Sequence, residues 1–186
     1  MIAEKSDPEL LALAAAGGEA AFAELVRRHQ DKVLGLAYRF SRDRQDAEDL
    51  AQEVFLKVWR HAGSFRGDSL FSTWLYRLAV NCCLNHRQRR KARPDPLPLA
   101  GEHAADNAAP GDELRAAERE AQLKKALDGL PSRQKMALAL ASFADRSYEE
   151  IAAAMGVSVP AVESLLFRAR RNLAAVLRPL MEKGEI

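Results

Sequence analysis

Two stretches of this chain gather side chains that could act on a polyanion. In FRGDSLFSTWLYRLAVNCCLNHRQRRKAR, Phe65 to Arg93, the aromatics Phe65, Phe71, Trp74 and Tyr76 surround a short loop that carries Arg66 and a glycine. The segment leaving the loop passes Arg77 and ends in Arg87, Arg89, Arg90, Lys91 and Arg93. Aromatic rings offer an unpaired base a face to stack on, and a run of cations neutralises successive phosphates. Trp74 equally suits a core position; the cation run fits a backbone-tracking surface better, with a solvated helix end as its alternative.

The second stretch is SYEEIAAAMGVSVPAVESLLFRARRNL, Ser147 to Leu173. Around Gly156 as the turn residue, Ile151, Met155, Val157, Val162 and Leu165 are spaced so that two helices can cross steeply over one apolar seam, with small Ala152 at the crossing. Ser158 is placed to cap the second helix. Arg168, Arg170 and Arg171 near its end suit phosphate clamping. Glu163 falls on the outward face with Pro160, Ser164 and Phe167, early enough to meet base edges, where a carboxylate can accept from cytosine N4. An ordinary helical hairpin with a solvated Glu163 and solvated arginines is the competing reading.

A third stretch, DAEDLAQEVFLKVWRHAGSF from Asp46 to Phe65, puts Ala47, Leu50, Val54, Val58 and Ala62 on one helical face. Asp46, Asp49, Gln52, Glu53 and Lys57 occupy the other. That acidic, amide-bearing face is either solvated or a dock for a basic helix of a partner protein.

Helices must hold all three stretches. Ser6-Asp7-Pro8-Glu9 starts the first, and Gly17-Gly18 ends it. Further helices are expected from about Glu19 to Phe40, Asp43 to His61, Leu70 to Arg93, Asp112 or Glu113 to Asp128, and Gln134 to Phe143, followed by the two around Gly156. Pro94 to Glu113 contains four prolines and no Lys or Arg, which reads as a flexible linker. The expected fold is therefore all-α, with two small helical domains, 1–93 and 113–186, joined by residues 94–112. Charge follows the same division: 16 Lys/Arg against 12 Asp/Glu over 1–93, 4 against 8 over 94–130, and 8 against 6 over 131–186. Two basic ends flank an acidic middle, as expected if both ends approach a polyanion.

Other functions lack the residues they need. His29, His61, His86 and His103 are scattered without ligand spacing, no phosphate loop occurs, and no nucleophile sits in a strand-turn-helix context. Neither a metal, a cofactor nor a small-molecule substrate is expected. Cys82 and Cys83 are adjacent on a helix, where disulfide and metal-pair spacing do not apply; core packing is the expected role and redox sensing the alternative. No apolar run approaches the roughly 20 residues of a membrane span, and the start MIAEKSDPELL has no charged-then-apolar order. A cytoplasmic protein is expected.

Taken in this order, the motifs resemble the extracytoplasmic-function, or group IV, branch of the sigma-70 family of bacterial RNA polymerase sigma factors. DAEDLAQEVFLKVW resembles region 2.2, FRGDSLFSTWLYRLAVN with its basic tail resembles regions 2.3 and 2.4, and LPSRQKMALAL with the Gly156 motif resembles region 4. The resemblance implies that Asp49, Gln52 and Glu53 face the clamp helices of the largest polymerase subunit. It implies that Trp74 and the Phe65–Phe71 loop hold a flipped base of the −10 element, with Arg77 and the 87–93 cations on the backbone. The second helix of region 4 would read the −35 element, and the linker would pass near the RNA exit channel. Promoter DNA, the polymerase core with its clamp and flap, and an anti-sigma factor that can hold the protein at the inner membrane are the implied partners. Leu75 beside Trp74 gives less stacking surface than primary sigma factors carry, which implies dependence on good promoter sequence. A stand-alone helix-turn-helix regulator, with 1–93 binding a ligand or a second subunit, is the alternative, and a structural adaptor a more distant one.

Overall fold

The computed structural model describes residues 1–92, 110–142 and 146–182. Within them lie eight α-helices: α1 (Asp7–Ala15), α2 (Glu19–Ser41), α3 (Arg44–His61), α4 (Phe71–Ala92), α5 (Pro110–Gly129), α6 (Ser132–Ala141), α7 (Tyr148–Met155) and α8 (Val159–Glu182). Short 3-10 turns occupy Ile2–Glu4 and Ala62–Ser64. Among the described residues there is no strand, so the all-α expectation holds. Most of the expected linker, together with Arg93 and Phe143, lies outside the described residues. Two starts come earlier than expected: α6 starts at Ser132 rather than at Gln134, and α5 starts at Pro110 rather than at Asp112 or Glu113. Proline is compatible with a first helical turn, and the two acids that follow favour the positive end of the helix dipole.

Local chemistry sets the other boundaries. The Ser6 backbone N–H donates to Glu9 Oε2 at 2.8 Å at the head of α1. Asp43 Oδ1 accepts from the Asp46 N–H at 3.0 Å at the head of α3, and that bond holds the Asp43 carboxyl below its usual range. Ser147 and Glu150 close a reciprocal capping box on α7, with bonds of 3.0 and 3.2 Å. α7 then ends at Gly156 with φ of 64°, a left-handed conformation that glycine adopts without a Cβ penalty. The Ser158 carbonyl accepts from Ala161 and Val162 to start α8.

α1 to α4 form one bundle and α5 to α8 a second. In the first, Leu25, Val33, Leu36 and Phe40 of α2 meet Leu50, Val54 and Val58 of α3 and Leu75, Ala79, Val80, Cys82 and Cys83 of α4, all buried. In the second, Ile151 and Ala152 of α7 pack with Val162 and Leu166 of α8 and Met136 and Leu140 of α6, while Ala169 of α8 packs with Leu127 and Leu130. Leu166 joins the seam as a buried member, and Leu165 packs against it as expected. Residues 162, 166 and 169 fall on one helical line, which leaves Leu165 at its flank, half-buried.

The bundles also touch. α4 packs on α7, and α6 meets both α2 and α4. Lys135 of α6 lies in this contact, 3% exposed, with Nζ 5.5 Å from the centre of the Phe40 ring and 2.6 Å from Asp128 Oδ1. Burial lowers its pKa, and the Asp128 carboxylate opposes that shift.

Cys82 and Cys83 are buried in the first bundle. Burial pushes both thiols up from their ordinary value, Cys83 far up, although Lys57 beside Cys82 pulls the other way. The thiolate is the reactive form, so both side chains should be inert in the folded protein. A thiol-reactive aromatic disulfide at pH about 8 should label neither residue until denaturant is added; labelling of the native chain would point to a redox role.

Candidate nucleic-acid interface

The first expected cluster forms, with a different membership. Phe71 opens α4, and its burial directs the preceding residues 65–70 back across the helix end. Phe65 and Trp74 meet edge-on at 5.5 Å and 60°, and both remain half-buried, able to offer ring surface. Phe71 contacts both from beneath, at 6.3 Å from Phe65 and 6.0 Å from Trp74. It is 4% exposed and serves as the floor of the cluster. Tyr76 does not join, because two residues along a helix from Trp74 points to the far side. It is buried, with the Arg146 guanidinium 3.6 Å from the centre of its ring. Arg66 is exposed in the loop, near Gly67, whose φ is 78°.

Four of the cations along α4 have partners within the chain. Arg77 donates to the Ala153 carbonyl of α7, at 3.3 Å from Nε and 3.0 Å from Nη2. Arg87 donates through Nη2 to the carbonyls of Asp128 at 2.6 Å and Leu130 at 2.8 Å. Arg89 lies 3.9 Å from Glu53 Oε2, and Arg90 pairs with Asp46. Lys91 belongs to the last turn of α4. The carbonyls that hold Arg77 and Arg87 are partners that a phosphate can replace, because a doubly charge-assisted bond is stronger than one to a neutral carbonyl; Glu53 and Asp46 are half-buried carboxylates.

The third stretch divides between two sides of α3. Asp46 and Glu53 face the end of α4, and Glu53 also pairs with Lys57 at 2.9 Å. Gln52, exposed, instead lines an open groove between α2 and α3, together with Phe22, Leu34, Phe55, Leu56 and Trp59. Asp49 is exposed and accepts from Gln45 Nε2 at 3.2 Å. The groove is largely apolar, and Leu34 and Leu56 stay 38% and 54% exposed. Sequence reasoning missed it. The signal was a second apolar line on α3, Ala51, Phe55 and Trp59 at four-residue intervals, beside the buried line of Ala47, Leu50, Val54 and Val58.

On α8 the face opposite Val162, Leu166 and Ala169 carries Pro160, Glu163, Phe167 and Arg170, all exposed, with Ser158 just before the helix. Phe167 is 66% exposed, a large apolar ring with no partner to cover it among the described residues. Ser164 accepts from Arg168 Nη2 at 2.6 Å, which holds that guanidinium along the helix, and Arg171 is exposed beside it. The steep meeting of α7 and α8 at Gly156 lets this face enter a groove while α7 lies behind it. Among the described residues no group of three or more His, Cys, Asp or Glu side chains could hold a metal ion, and no single helix is long and apolar enough to cross a membrane.

Comparison with known proteins agrees with this architecture. The family described as Sigma-70 region 2 matches residues 25–93, and Sigma-70, region 4 matches residues 120–173. The RNA polymerase sigma-H factor of Pseudomonas aeruginosa is 39% identical over 193 residues, spanning 99% of this chain and 100% of that protein. The ECF RNA polymerase sigma-E factor of Haemophilus influenzae is 36% identical, spanning 97% of this chain and 100% of the relative. Among solved structures, CnrH in complex with the cytosolic domain of CnrY superposes with a TM-score of 0.67 at 28% identity, over 94% of this chain and 99% of that one. The sigma factor RpoE of Bartonella quintana, in complex with the anti-sigma factor NepR, shares the fold with a TM-score of 0.62 at 24% identity, over 84% of this chain and 96% of that one. The chain belongs to the extracytoplasmic-function branch of the sigma-70 family of RNA polymerase sigma factors, with its region 2 in α2 to α4 and its region 4 in α5 to α8.

Proposed function

We propose that this sigma factor works through three surfaces, each made of residues described above. The α2–α3 groove, with Glu48 and Gln52 in its lining, receives a helix of the bacterial polymerase core, and Asp49 and Glu53, elsewhere on α3, add negative charge to the docking helix. Phe65 and Trp74 hold an extruded base of the −10 element, on the floor made by Phe71. Arg66, Arg77, Arg87, Arg89, Arg90, Lys91 and Arg93 track the strand's phosphates. The outer face of α8 reads the −35 element, with Glu163 and Phe167 toward base edges, Ser158, Pro160 and Ser164 beside them, and Arg168, Arg170 and Arg171 on the backbone.

The observation that carries the reading is the presence, on one chain, of a half-open aromatic pair beside a cation-bearing helix and of a helix-turn-helix with an unburied recognition face. The first suits a single strand and the second suits duplex, and initiation needs both at once. A stand-alone regulator needs only the second. The two surfaces are brought together by modules 1–93 and 113–186, with residues 94–112 between them. Because α7 and the α5–α6 turn hold Arg77 and Arg87, binding of the −10 strand competes with the contact between the modules. An anti-sigma factor that strengthens this contact or covers the α2–α3 groove keeps the protein inactive, at the inner membrane where that partner is anchored.

With purified core polymerase the protein should give promoter-specific run-off transcripts, whereas the free protein should bind duplex weakly. Tight site-specific duplex binding without core, and no transcript with it, would establish the stand-alone regulator instead. Leu56→Asp places a charge on a side chain already exposed, so thermal stability should stay within about 0.5 kcal/mol. Core affinity should nevertheless fall at least about tenfold, as read by competition against a second sigma factor; unchanged affinity removes the groove from the docking surface. Glu163→Ala should relax base preference at one −35 position, losing about 1–3 kcal/mol of discrimination, while binding to a matched site persists through the arginines. A selection on randomised −35 sequences measures this, and an unaltered preference would return Glu163 to the solvated surface.

A further inference from the structure

The cluster of Phe65, Phe71 and Trp74 rests on a polar residue that belongs to neither its loop nor its helix. His29, in the middle of α2, is 7% exposed. Its ring meets that of Phe71 edge-on, 5.2 Å between centres and 62° between planes. From its other side Nε2–H donates to Asp7 Oδ2 at 2.8 Å. Asp7 is the first residue of α1, and its Oδ1 accepts from Arg28 Nη1 at 2.9 Å. Arg28 also donates to the carbonyls of Lys5 at 2.9 Å and Ala3 at 2.7 Å. The extreme N-terminal segment is thus fastened to α2 directly below the aromatic cluster.

An aliphatic side chain could fill this space without requiring a partner, whereas a buried polar group left unbonded is costly. What the imidazole adds is direction. Its bond to Asp7 sets the plane of the ring, and an edge-to-face contact depends on that plane. Phe71 takes its orientation from the imidazole, and Phe65 and Trp74 both lean on Phe71. We propose that His29, oriented by Asp7, is a positioning residue for capture of the extruded −10 base: it fixes the floor on which Phe65 and Trp74 stand without touching DNA itself. The proposal rests on the reading of Phe65 and Trp74 as the base-holding pair.

Holoenzyme carrying His29→Leu, which keeps the bulk and removes the bond to Asp7, is compared with Asp7→Ala, the double variant and Trp74→Ala. Three readouts are taken: core affinity, open-complex formation on a duplex promoter, and initiation on the same promoter already melted over the −10 element. His29→Leu and Asp7→Ala should each slow opening of the duplex about tenfold while core affinity and the pre-melted template stay within about twofold. Because both act through one contact, the double variant should be no worse than either alone. Equal loss on both templates, additive losses, or wild-type opening of the duplex would overturn the positioning role. If His29→Leu does not fold, His29→Gln takes its place, keeping a donor toward Asp7 while losing the ring edge, and the same duplex-selective loss is expected. Should Trp74→Ala also open the duplex at the wild-type rate, the base-holding pair itself is misassigned; should Trp74→Ala alone be impaired, His29 merely packs.

Discussion

The structure depends on α4 burying two adjacent lines of side chains at once. Leu75, Ala79 and Cys82 fall on one line and Tyr76, Val80 and Cys83 on the next, and none is more than 2% exposed. A helix with so wide a buried stripe must be covered on more than one side, and α2, α3, α6 and α7 supply the cover. Full burial of a side chain such as Leu75 or Val80 contributes about 1.5–3 kcal/mol. The same helix carries Trp74 at its start and the arginines at its end, so the residues proposed to meet a nucleic acid are held by a deeply buried helix. Side chains on such an element can keep a geometry that a loop could not.

The contact between the modules is built in a different way from either core. Its cations outnumber its carboxylates: Arg77, Arg87, Lys135 and Arg146 gather there, and of these Lys135 takes the Asp128 carboxylate. Arg77 and Arg87 take main-chain carbonyls, and Arg146 takes the face of Tyr76. Arg77 and Arg87 are held there by neutral carbonyls, which do not neutralise them as a phosphate does, whereas Arg146 also pairs with Glu150 at 3.4 Å. Under the function proposed above, a contact held by neutral carbonyls is one that a polyanion can compete for.

Much of this was legible in the chain itself. Helix starts were written in short-range chemistry: Ser6 and Glu9, Asp43, and Ser147 with Glu150 are capping residues wherever the chain goes, because their bonds span three residues. The helix-turn-helix was legible because Gly156 and the apolar spacing around it fix the crossing locally. The exposed face of α8 followed from the same count, although that count did not include Leu166, which closes the seam with Leu165 packed against it. The groove between α2 and α3 was harder to see, since its signal is a second apolar line that on one helix cannot be told from a broad core face. Only the position of α2 shows that Phe55, Leu56 and Trp59 remain partly uncovered.

By itself, the sequence determined the all-α class, the order and caps of the helices, the separation of two basic ends by an acidic middle, and the motifs that resemble sigma regions 2 and 4. These follow from interactions within a turn or two of helix, or from composition. The tertiary structure decided which aromatic stacks and which is core: Phe71 becomes a floor, Tyr76 turns away to Arg146, and His29 comes under the cluster from 42 residues upstream of Phe71. It also decided that Arg77 and Arg87 reach the carbonyls of another module. Contacts of that kind depend on where distant helices are brought by burial of α4, and no local spacing records them.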